Sequence, residues 1–431
     1  MTFLQHSRGP LRWTRYLPAL LFLAFFLPNT RLAPLNQYLR IGRWGALVGI
    51  LALSFLAVRR IHRWPALSFC TTFSFSLLAL TLPYSSNPTI SFAKWLVFFL
   101  FLVFCLLFAS QIRSREEVLL LLRPLFIVFF IFMWATPPAV FVFPQHRYLG
   151  FVSGFLVFAN ALGQFVALFG LPAALYSLEA KRGARHRLFQ MATLGLSVGL
   201  IILSGSRTAA FTMVIFLGVA FWRWKRFQGR LALPVKILAV LAAVASFPYY
   251  LDQVQRFVYK YPGASDILQS RTSYWEATRE SFLNRRWAGS GFGVQETQSD
   301  ARLSFSSPGA FREQGSTYLG LLEEVGILGA MPILVVLAIV GFKNVRLLFR
   351  SKNPLRLLLA RSIVAGLIWG ASENYLLYLG NAASVLVFYA LFLQERVAQI
   401  ERSERIRMRR QMMLASQLRQ AGIESWQPAR A

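Results

Sequence analysis

The sequence predicts an all-α, polytopic integral membrane protein with about twelve transmembrane helices and one large loop outside the membrane. Three observations lead to this class. First, 56% of the 431 residues are hydrophobic and only 15% are charged, whereas soluble domains carry about a quarter charged residues. Second, apolar stretches long enough to cross a bilayer recur along most of the chain. Third, basic residues gather in alternate connecting segments.

The apolar stretches give a map of spans. They predict spans near residues 13–28, 45–58, 66–83, 92–110, 118–136, 151–178, 188–204, 208–222, 231–249, 318–342, 357–374 and 377–393. The second span is short, and the last two could instead form one broken helix. The basic N-terminus resembles a signal peptide, but no small-x-small cleavage site follows it, so we expect the first span to be retained.

The distribution of basic residues predicts the orientation. With the N-terminus inside, the cytoplasmic segments are 1–12, 59–65, 111–117, 179–187, 223–230, 343–356 and the tail from 394. They hold most of the clustered Lys and Arg, whereas the outward loop 84–91 has none; the outward loop 31–44, with three arginines, departs from the pattern. The net charge of +29 is therefore mainly topological and argues against a nucleic-acid partner.

Four regions follow from this map. Residues 1–249 form an N-terminal transmembrane bundle of about nine spans, 250–317 a periplasmic loop, 318–394 the C-terminal transmembrane helices, and 395–431 a basic cytoplasmic tail. Segment 395–410 either continues the last helix along anionic lipid headgroups or forms a solvated basic tail.

The long loop carries its own structural signals. Loops of this length are usually functional. Ser273-Tyr-Trp-Glu276 fits a capping box, which predicts a helix that runs to about Asn284. Residues three and four apart share a face of such a helix, and that face carries Arg271, Trp275, Thr278 and Phe282. Gly289-Ser-Gly-Phe-Gly293 is expected to make a flexible turn.

Four arginines lie at predicted outward positions: Arg147, Arg207, Arg271 and Arg312. An arginine at membrane depth is costly and normally pairs or serves a polar cavity. Guanidinium groups bind phosphate bidentately, so several of them converging on one cavity would suit a diphosphate. Taken singly, each arginine could instead extend its side chain to the lipid headgroups. The set, together with the long loop, favours the binding site.

Four acidic residues accompany them. Glu313 lies near the predicted membrane surface, Glu323 and Glu324 lie inside the tenth span, and Glu373 ends the eleventh. At least one of the adjacent pair should face the protein interior, since an ionised carboxylate facing lipid is expensive. A structural ion pair with a neighbouring arginine is the alternative role.

The sequence gives no sign of a metal or a cofactor. The two cysteines lie inside apolar stretches and the four histidines are scattered, without the spacing of a metal site. Neither a Ser-His-Asp arrangement, a P-loop nor a Rossmann glycine pattern is present.

Five stretches resemble one superfamily, that of the bacterial O-antigen ligases and the O-antigen or exopolysaccharide polymerases. They occur in family order and cover roughly residues 147–340. The stretches are Arg147-Tyr-Leu-Gly150 with the following Asn160, Leu203-Ser-Gly-Ser-Arg207-Thr-Ala-Ala, Arg271-Thr-Ser-Tyr-Trp275, Gly289-Ser-Gly-Phe-Gly293, and Ser316-Thr-Tyr-Leu-Gly-Leu-Leu-Glu-Glu-Val-Gly-Ile-Leu-Gly329.

The resemblance implies a metal-independent glycosyltransferase of the bacterial inner membrane with both termini in the cytoplasm. It would move a glycan from an undecaprenyl diphosphate carrier to a hydroxyl of a glycan or lipid acceptor at the periplasmic face, among membrane lipids. Arg147, Arg207 and Arg271 fall where the family's arginines hold the diphosphate. Further substrate-binding candidates are Asn160, Trp275, Arg312, Tyr318 and Glu323.

One departure from the family concerns the base. The family has His-Asn just before the Tyr-Leu of the last motif, and this histidine activates the acceptor. Here Gly315-Ser316 stand at those positions, and residues 187–431 contain no histidine. We therefore take Glu313 as the candidate base, with Glu323 in reserve; Glu313 could instead only pair with Arg312.

A transporter or flippase of a lipid-linked saccharide is the alternative function. It would use the same basic cavity without chemistry, and the missing histidine favours it. The long loop argues against it, because transporters usually bind substrate near the midplane between broken helices.

Overall fold

The structure is a computed structural model that describes residues 16–30, 36–57, 65–142, 147–148, 151–156, 159–180, 184–223, 269–294, 315–377 and 382–420. Its helices are α1 (Leu17–Phe26), α2 (Asn36–Ala57), α3 (Ala66–Ser76), α4 (Pro88–Gln111), α5 (Arg115–Val142), α6 (Ala159–Phe165), α7 (Leu171–Glu179), α8 (Ala184–Leu203), α9 (Arg207–Arg223), α10 (Gln269–Asn284), α11 (Thr317–Arg350), α12 (Pro354–Ser372) and α13 (Ala382–Gln420). The two short strands β1 (Arg147–Tyr148) and β2 (Phe151–Val152) form an antiparallel ladder. The all-α prediction is confirmed, with this small hairpin as an addition.

Seven helical segments among the described residues are long and apolar enough to cross a membrane. They are Ala66–Tyr84, Pro88–Gln111, Arg115–Val140, Ala159–Glu179, Thr317–Arg350, Pro354–Ser372 and Ala382–Gln417. Four more helices stand at predicted spans: α1, α2, α8 and α9. The predicted span 231–249 lies outside the described residues.

The predicted start of the sixth span, at residue 151, was wrong. Residues 151–158 were expected to be helical, but Phe151 and Val152 form β2 and a turn follows them. The helix begins only at Ala159. It then passes through a π-helical turn, Val166–Gly170, before α7. Pro172 explains this turn, because proline has no N–H to continue the regular ladder.

Proline and asparagine residues explain where two other helices, α4 and α12, begin. Pro88 and Pro354 each occupy the first turn, where a missing N–H costs nothing. The preceding Asn87 and Asn353 accept from Ile90 N–H at 3.2 Å and from Leu355 N–H at 2.9 Å. The last two predicted spans are separate helices, because α12 ends at Ser372 and α13 begins at Ala382.

Helix α12 lies at the centre of the bundle. It packs against α7, α9, α11 and α13. Aromatic rings fill the neighbouring core, where Phe98 lies 4.8 Å from Phe75 and 5.4 Å from Phe388 between ring centroids. These contacts hold α3, α4 and α13 together.

Polar contacts mark the two ends of the bundle. We call one of them the charged end. Its residues bond to one another and to Arg361 near the start of α12, and they belong to the segments Ile112–Arg115, Glu179, Arg223, 343–356 and 395–404. The loop end comprises Ser85–Pro88, the β1–β2 hairpin, Ser204–Arg207, Gly289–Val294, Ser316–Thr317 and Ser372–Glu373.

Candidate functional site

Arg207 begins α9 at a tight turn of the loop end. Ser204 Oγ accepts a hydrogen bond from Ser206 N–H at 3.3 Å, which closes the turn around Gly205. Phe151 of β2 packs directly on Gly205 and leaves no room for a side chain there. The turn therefore fixes Arg207 at the N-terminus of α9, where the helix dipole favours an anion.

Arg147 and Asn160 are brought to the same turn. Arg147 pairs with Val152 in the β ladder, and the neighbouring Phe151 is the residue that covers Gly205. The side chain of Arg147 lies outside the described residues. Asn160 is half-buried in α6, one turn before Gly163. Gly163 packs so closely on the turn that a Cβ added to it would lie 2.6 Å from Ser204 Oγ and 2.6 Å from Ser206 Cβ. Two predicted residues that are far from Arg207 in sequence thus lie on elements that contact its turn.

The start of α9 also contacts the end of α12. Thr208 Oγ1 and Ser372 Oγ share a hydrogen bond of 2.8 Å. The next residue, Glu373, is buried, and its backbone oxygen accepts from Thr317 Oγ1 at 2.8 Å. Ser316 Oγ in turn donates to Gly370 O at 3.4 Å. The first residues of α9 and of α11 therefore meet on the same short stretch of chain.

The position where the family carries its histidine is tightly packed. Gly315 has φ +66°, a backbone conformation that L side chains rarely adopt. Its backbone oxygen accepts from Trp275 Nε1 at 3.1 Å, and a Cβ there would lie 3.0 Å from the same nitrogen. Trp275 thus occupies the space into which a side chain at 315 would extend, which gives a physical reason for a glycine here.

Helix α10 places the other loop residues. It begins at Gln269, so Ser273 lies inside the helix, and the predicted capping-box start was wrong; the predicted end at Asn284 is confirmed. Trp275 is half-buried and Thr278 fully buried, so one face of α10 packs on the protein. Arg271 stands in the first turn, and its side chain lies outside the described residues.

Tyr318 and Glu323 lie in the first part of α11. Tyr318 is half-buried, and its hydroxyl donates to Leu367 O at 2.7 Å. Glu323 and its neighbour Glu324 are both buried, which confirms that at least one of the pair faces the interior. Arg312 and Glu313 lie outside the described residues.

Helix α11 is broken at Gly326, which has φ +63° and ψ −172°. A regular helix would bond Ile327 N–H to Glu323 O and Leu328 N–H to Glu324 O. Instead the two N–H groups donate to Arg286 O at 2.8 Å and to Trp287 O at 3.2 Å. The two carbonyls accept from Ser290 N–H at 3.1 Å and from Gly291 N–H at 2.6 Å. Four bonds to the segment Arg286–Gly291 therefore replace two helical ones.

A lysine and a carboxylate complete this junction. Glu324 Oε2 accepts from Gly293 N–H at 2.7 Å, and Lys94 of α4 donates to Gly293 O. Gly291 packs on Ser85 and Ser91, and Ser86 N–H donates to Ser290 O at 2.9 Å. The expectation of a flexible turn at Gly289–Gly293 was wrong, because these residues are buried between α4 and α11.

Sequence reasoning missed both Lys94 and the break at Gly326. Lys94 is a single charge within an apolar stretch, which is a signal for a buried partner. Gly326 comes two residues after the adjacent carboxylates Glu323 and Glu324, but a glycine alone does not indicate a break. Within the described residues, no three His, Cys, Asp or Glu side chains form a group that could hold a metal ion.

A comparison with protein families gives a match over the middle of the chain. A sequence model of the family described as O-antigen ligase matches residues 192–334. This match supports membership of the O-antigen ligase superfamily. A comparison with curated proteins gives no match.

The part matched to the O-antigen ligase family runs from α8 to the first half of α11. It contains Arg207, α10, the segment Gly289–Gly293 and the break at Gly326. Arg147, Asn160 and Glu373 lie outside it and reach the matched part through the contacts described above. The matched family suggests a membrane enzyme of the ligase or polymerase type that acts on lipid-linked glycans.

Proposed function

We propose that this O-antigen ligase-like protein is a glycosyltransferase of the bacterial inner membrane. It transfers or polymerises glycan from an undecaprenyl-diphosphate-linked donor onto a hydroxyl of a glycan or lipid acceptor, without a metal. The loop end faces the periplasm, where the reaction takes place, and both termini lie in the cytoplasm, as the distribution of basic residues favours. The products would serve lipopolysaccharide or exopolysaccharide synthesis.

The observation that carries the proposal is the convergence at the turn Ser204–Arg207. The hairpin of Arg147 and the helix of Asn160 contact this turn, and the end of α12 bonds to Thr208, the residue after Arg207. The start of α11 bonds in turn to Glu373, which directly follows α12. A site made from elements this distant in sequence can surround a ligand as large as a lipid diphosphate. The N-terminus of α9 adds the partial positive charge that suits an anion.

The arginines would act on the leaving group. As the glycosidic bond breaks, negative charge develops on the diphosphate, and preorganised donors that stabilise it lower the barrier. Arg147, Arg207, Arg271 and Arg312 are proposed for this role. Asn160, Trp275, Tyr318 and Glu323 are proposed to position the donor or the acceptor. Glu313 is the base that the sequence suggests, and it remains a prediction.

The broken helix bears on the transporter alternative. In transporters, the freed backbone groups of a broken helix coordinate substrate or ions. In this protein, the four backbone groups at the Gly326 break are paired with the segment Arg286–Gly291. The break therefore serves to hold the loop segment on the bundle, which supports an enzyme over a transporter.

The test is transfer by the purified protein in a detergent or nanodisc. A labelled undecaprenyl-diphosphate-linked oligosaccharide serves as donor, and the acceptor is a second copy of it or a lipopolysaccharide core lipid. We expect a longer or lipid-capped glycan together with free undecaprenyl diphosphate. Movement of intact donor across vesicle membranes, without release of carrier, would instead establish the transporter.

A further inference from the structure

Glu373 is a buried carboxylic acid with no role in the proposal above. It follows the last residue of α12, is only 5% exposed, and its N–H donates to Trp369 O at 2.9 Å. An acidic residue at this burial needs a specific reason, because burying a charge is costly unless something uses or compensates it.

Hydrogen bonds hold the segment around Glu373 against the start of α11. Thr317 Oγ1 donates to Glu373 O at 2.8 Å and accepts from Leu376 N–H at 3.2 Å. Thr317 comes two residues after Gly315, the position where the resemblance expects the histidine base. Glu373 therefore lies beside the place from which that base is missing.

The same segment touches the arginine turn. Ser372, the residue before Glu373, bonds to Thr208, the residue after Arg207. Glu373 thus stands between the first residue of α9, proposed to bind the diphosphate, and the first residues of α11. A base has to lie near both the acceptor hydroxyl and the bond that breaks. The contacts of Ser372 and of the Glu373 backbone put this residue next to the first residues of both α9 and α11, where the proposed diphosphate site and the vacant histidine position lie.

The other described carboxylates of the loop end are placed less well. Glu324 Oε2 accepts from Gly293 N–H and holds the loop segment. Glu323 comes seven residues after Ser316, which puts it on the order of 10 Å further along α11.

We infer that Glu373 is the base that replaces the histidine in this chain, an inference that rests on the proposed transfer function. The acceptor oxygen forms a bond to the anomeric carbon of the donor sugar, and its proton passes to the Glu373 carboxylate. The bond from the anomeric carbon to the phosphate oxygen breaks, and its electron pair leaves on undecaprenyl diphosphate, which Arg207 stabilises. The carboxylic acid then releases its proton to water.

The variant that tests this is Glu373→Gln. It keeps the shape of the side chain and removes its basicity, and the bond from Thr317 is preserved because it goes to the backbone oxygen. Loss of a general base typically costs about a hundred- to ten-thousand-fold in rate. We expect kcat to fall by that factor while the KM for the lipid-linked donor stays within a few-fold. Thermal unfolding would verify that the variant is folded.

Further variants separate catalysis from structure. Glu373→Gly should regain part of its rate when formate is added, because formate can accept the proton in the vacated space; a purely structural role would give no such rescue. Glu280→Gln, at an exposed carboxylate of α10, is the matched control and should remain within a few-fold of the wild type. Glu313→Gln is measured beside it, because Glu313 is the base that the sequence suggests.

The outcomes are distinct. A wild-type protein without transfer would overturn the proposed function and this inference with it. An active wild type whose Glu373→Gln variant keeps its kcat within a few-fold would overturn only the assignment of Glu373. A Glu373→Gly variant that formate does not rescue, or loss of rate in Glu313→Gln alone, would do the same.

Discussion

The two ends of the bundle are held together by different chemistry. At the charged end, Arg361 forms two hydrogen bonds to Glu179, at 3.0 and 2.5 Å, and Arg356 bonds to Glu401 at 3.0 Å. At the loop end, the contacts between elements that define the site use hydroxyl and backbone groups, as between Thr208 and Ser372. At the charged end, charged side chains thus pair with one another, whereas the contacts described at the loop end each have a hydroxyl or a backbone group as a partner.

This difference predicts which substitutions should change stability and which should change activity. Variants of charged residues at the charged end should lower stability and leave the rate per folded molecule unchanged. Variants of arginines at the loop end should lower the rate per folded molecule and leave stability unchanged. The four predictions below test this division, from the largest expected effect to the smallest.

The first prediction is an all-or-none difference in labelling. A cysteine at Ser299, in the loop, should react with a membrane-impermeant thiol reagent added from the periplasmic side, and a cysteine at Ser351 should not. Both are made with Cys70→Ser, because Cys70 is exposed, whereas Cys105 is buried and can stay. The opposite labelling pattern would reject the orientation of the two ends.

The second prediction concerns Arg207. Arg207→Lys keeps the charge but loses the planar fork that binds phosphate bidentately. We expect transfer to fall by about a hundredfold or more, the effect typical of removing one electrostatic donor, with little change in thermal stability. The matched control is Arg402→Lys, at an exposed position of α13, which should transfer at the wild-type rate. Equal effects of the two variants would contradict the prediction.

The third prediction concerns the buried pair at the charged end. Arg361 is fully buried, so Arg361→Met leaves Glu179 without this partner and should cost about 3–5 kcal/mol of stability. The double variant Arg361→Met with Glu179→Met should recover much of the loss. Denaturation in detergent measures both, and transfer per folded molecule should remain near wild type. A single variant as stable as the wild type would show that the pair contributes nothing.

The fourth prediction concerns the break in α11. Gly326→Ala puts a side chain at φ +63°, against the backbone of Trp287, and such strain costs about 1–3 kcal/mol. We expect faster proteolysis within residues 286–294 and reduced transfer. Gly218→Ala in α9 is the control, since a Cβ there meets no atom within 4 Å. If both alanine variants resist protease equally, the break does not hold the loop segment.

Much of the fold could be predicted because the bilayer imposes one simple length rule. The lengths of the apolar stretches predict where the helices lie, as for α4 and α12. The prolines and asparagines at their starts indicate where these helices begin. The hairpin at Phe151 was missed because its apolar residues resemble the continuation of a helix. The break at Gly326 was missed because the bonds that stabilise it come from a segment more than thirty residues earlier in the chain.

The site was predicted in part for the same physical reason. Arginine at an apolar boundary is costly enough to be noticed in sequence, so Arg147 and Arg207 were proposed, and the structure places both on elements that meet at the turn Ser204–Arg207. Glu373 was noted only as the end of a span, because nothing local reveals that Thr208 and Thr317 meet there. Contacts between distant segments decide which polar residues share a site, and single-sequence patterns carry little information about them.

The paired break in α11 also constrains how the protein is assembled in the cell. The carbonyls of Glu323 and Glu324 take their partners from a segment that, in the proposed orientation, is first carried across the membrane. During insertion, before that segment has returned, α11 can satisfy these groups only as a continuous helix. We therefore expect α11 to enter the bilayer straight and to bend late in biogenesis, so that maturation of the site follows translocation of the loop.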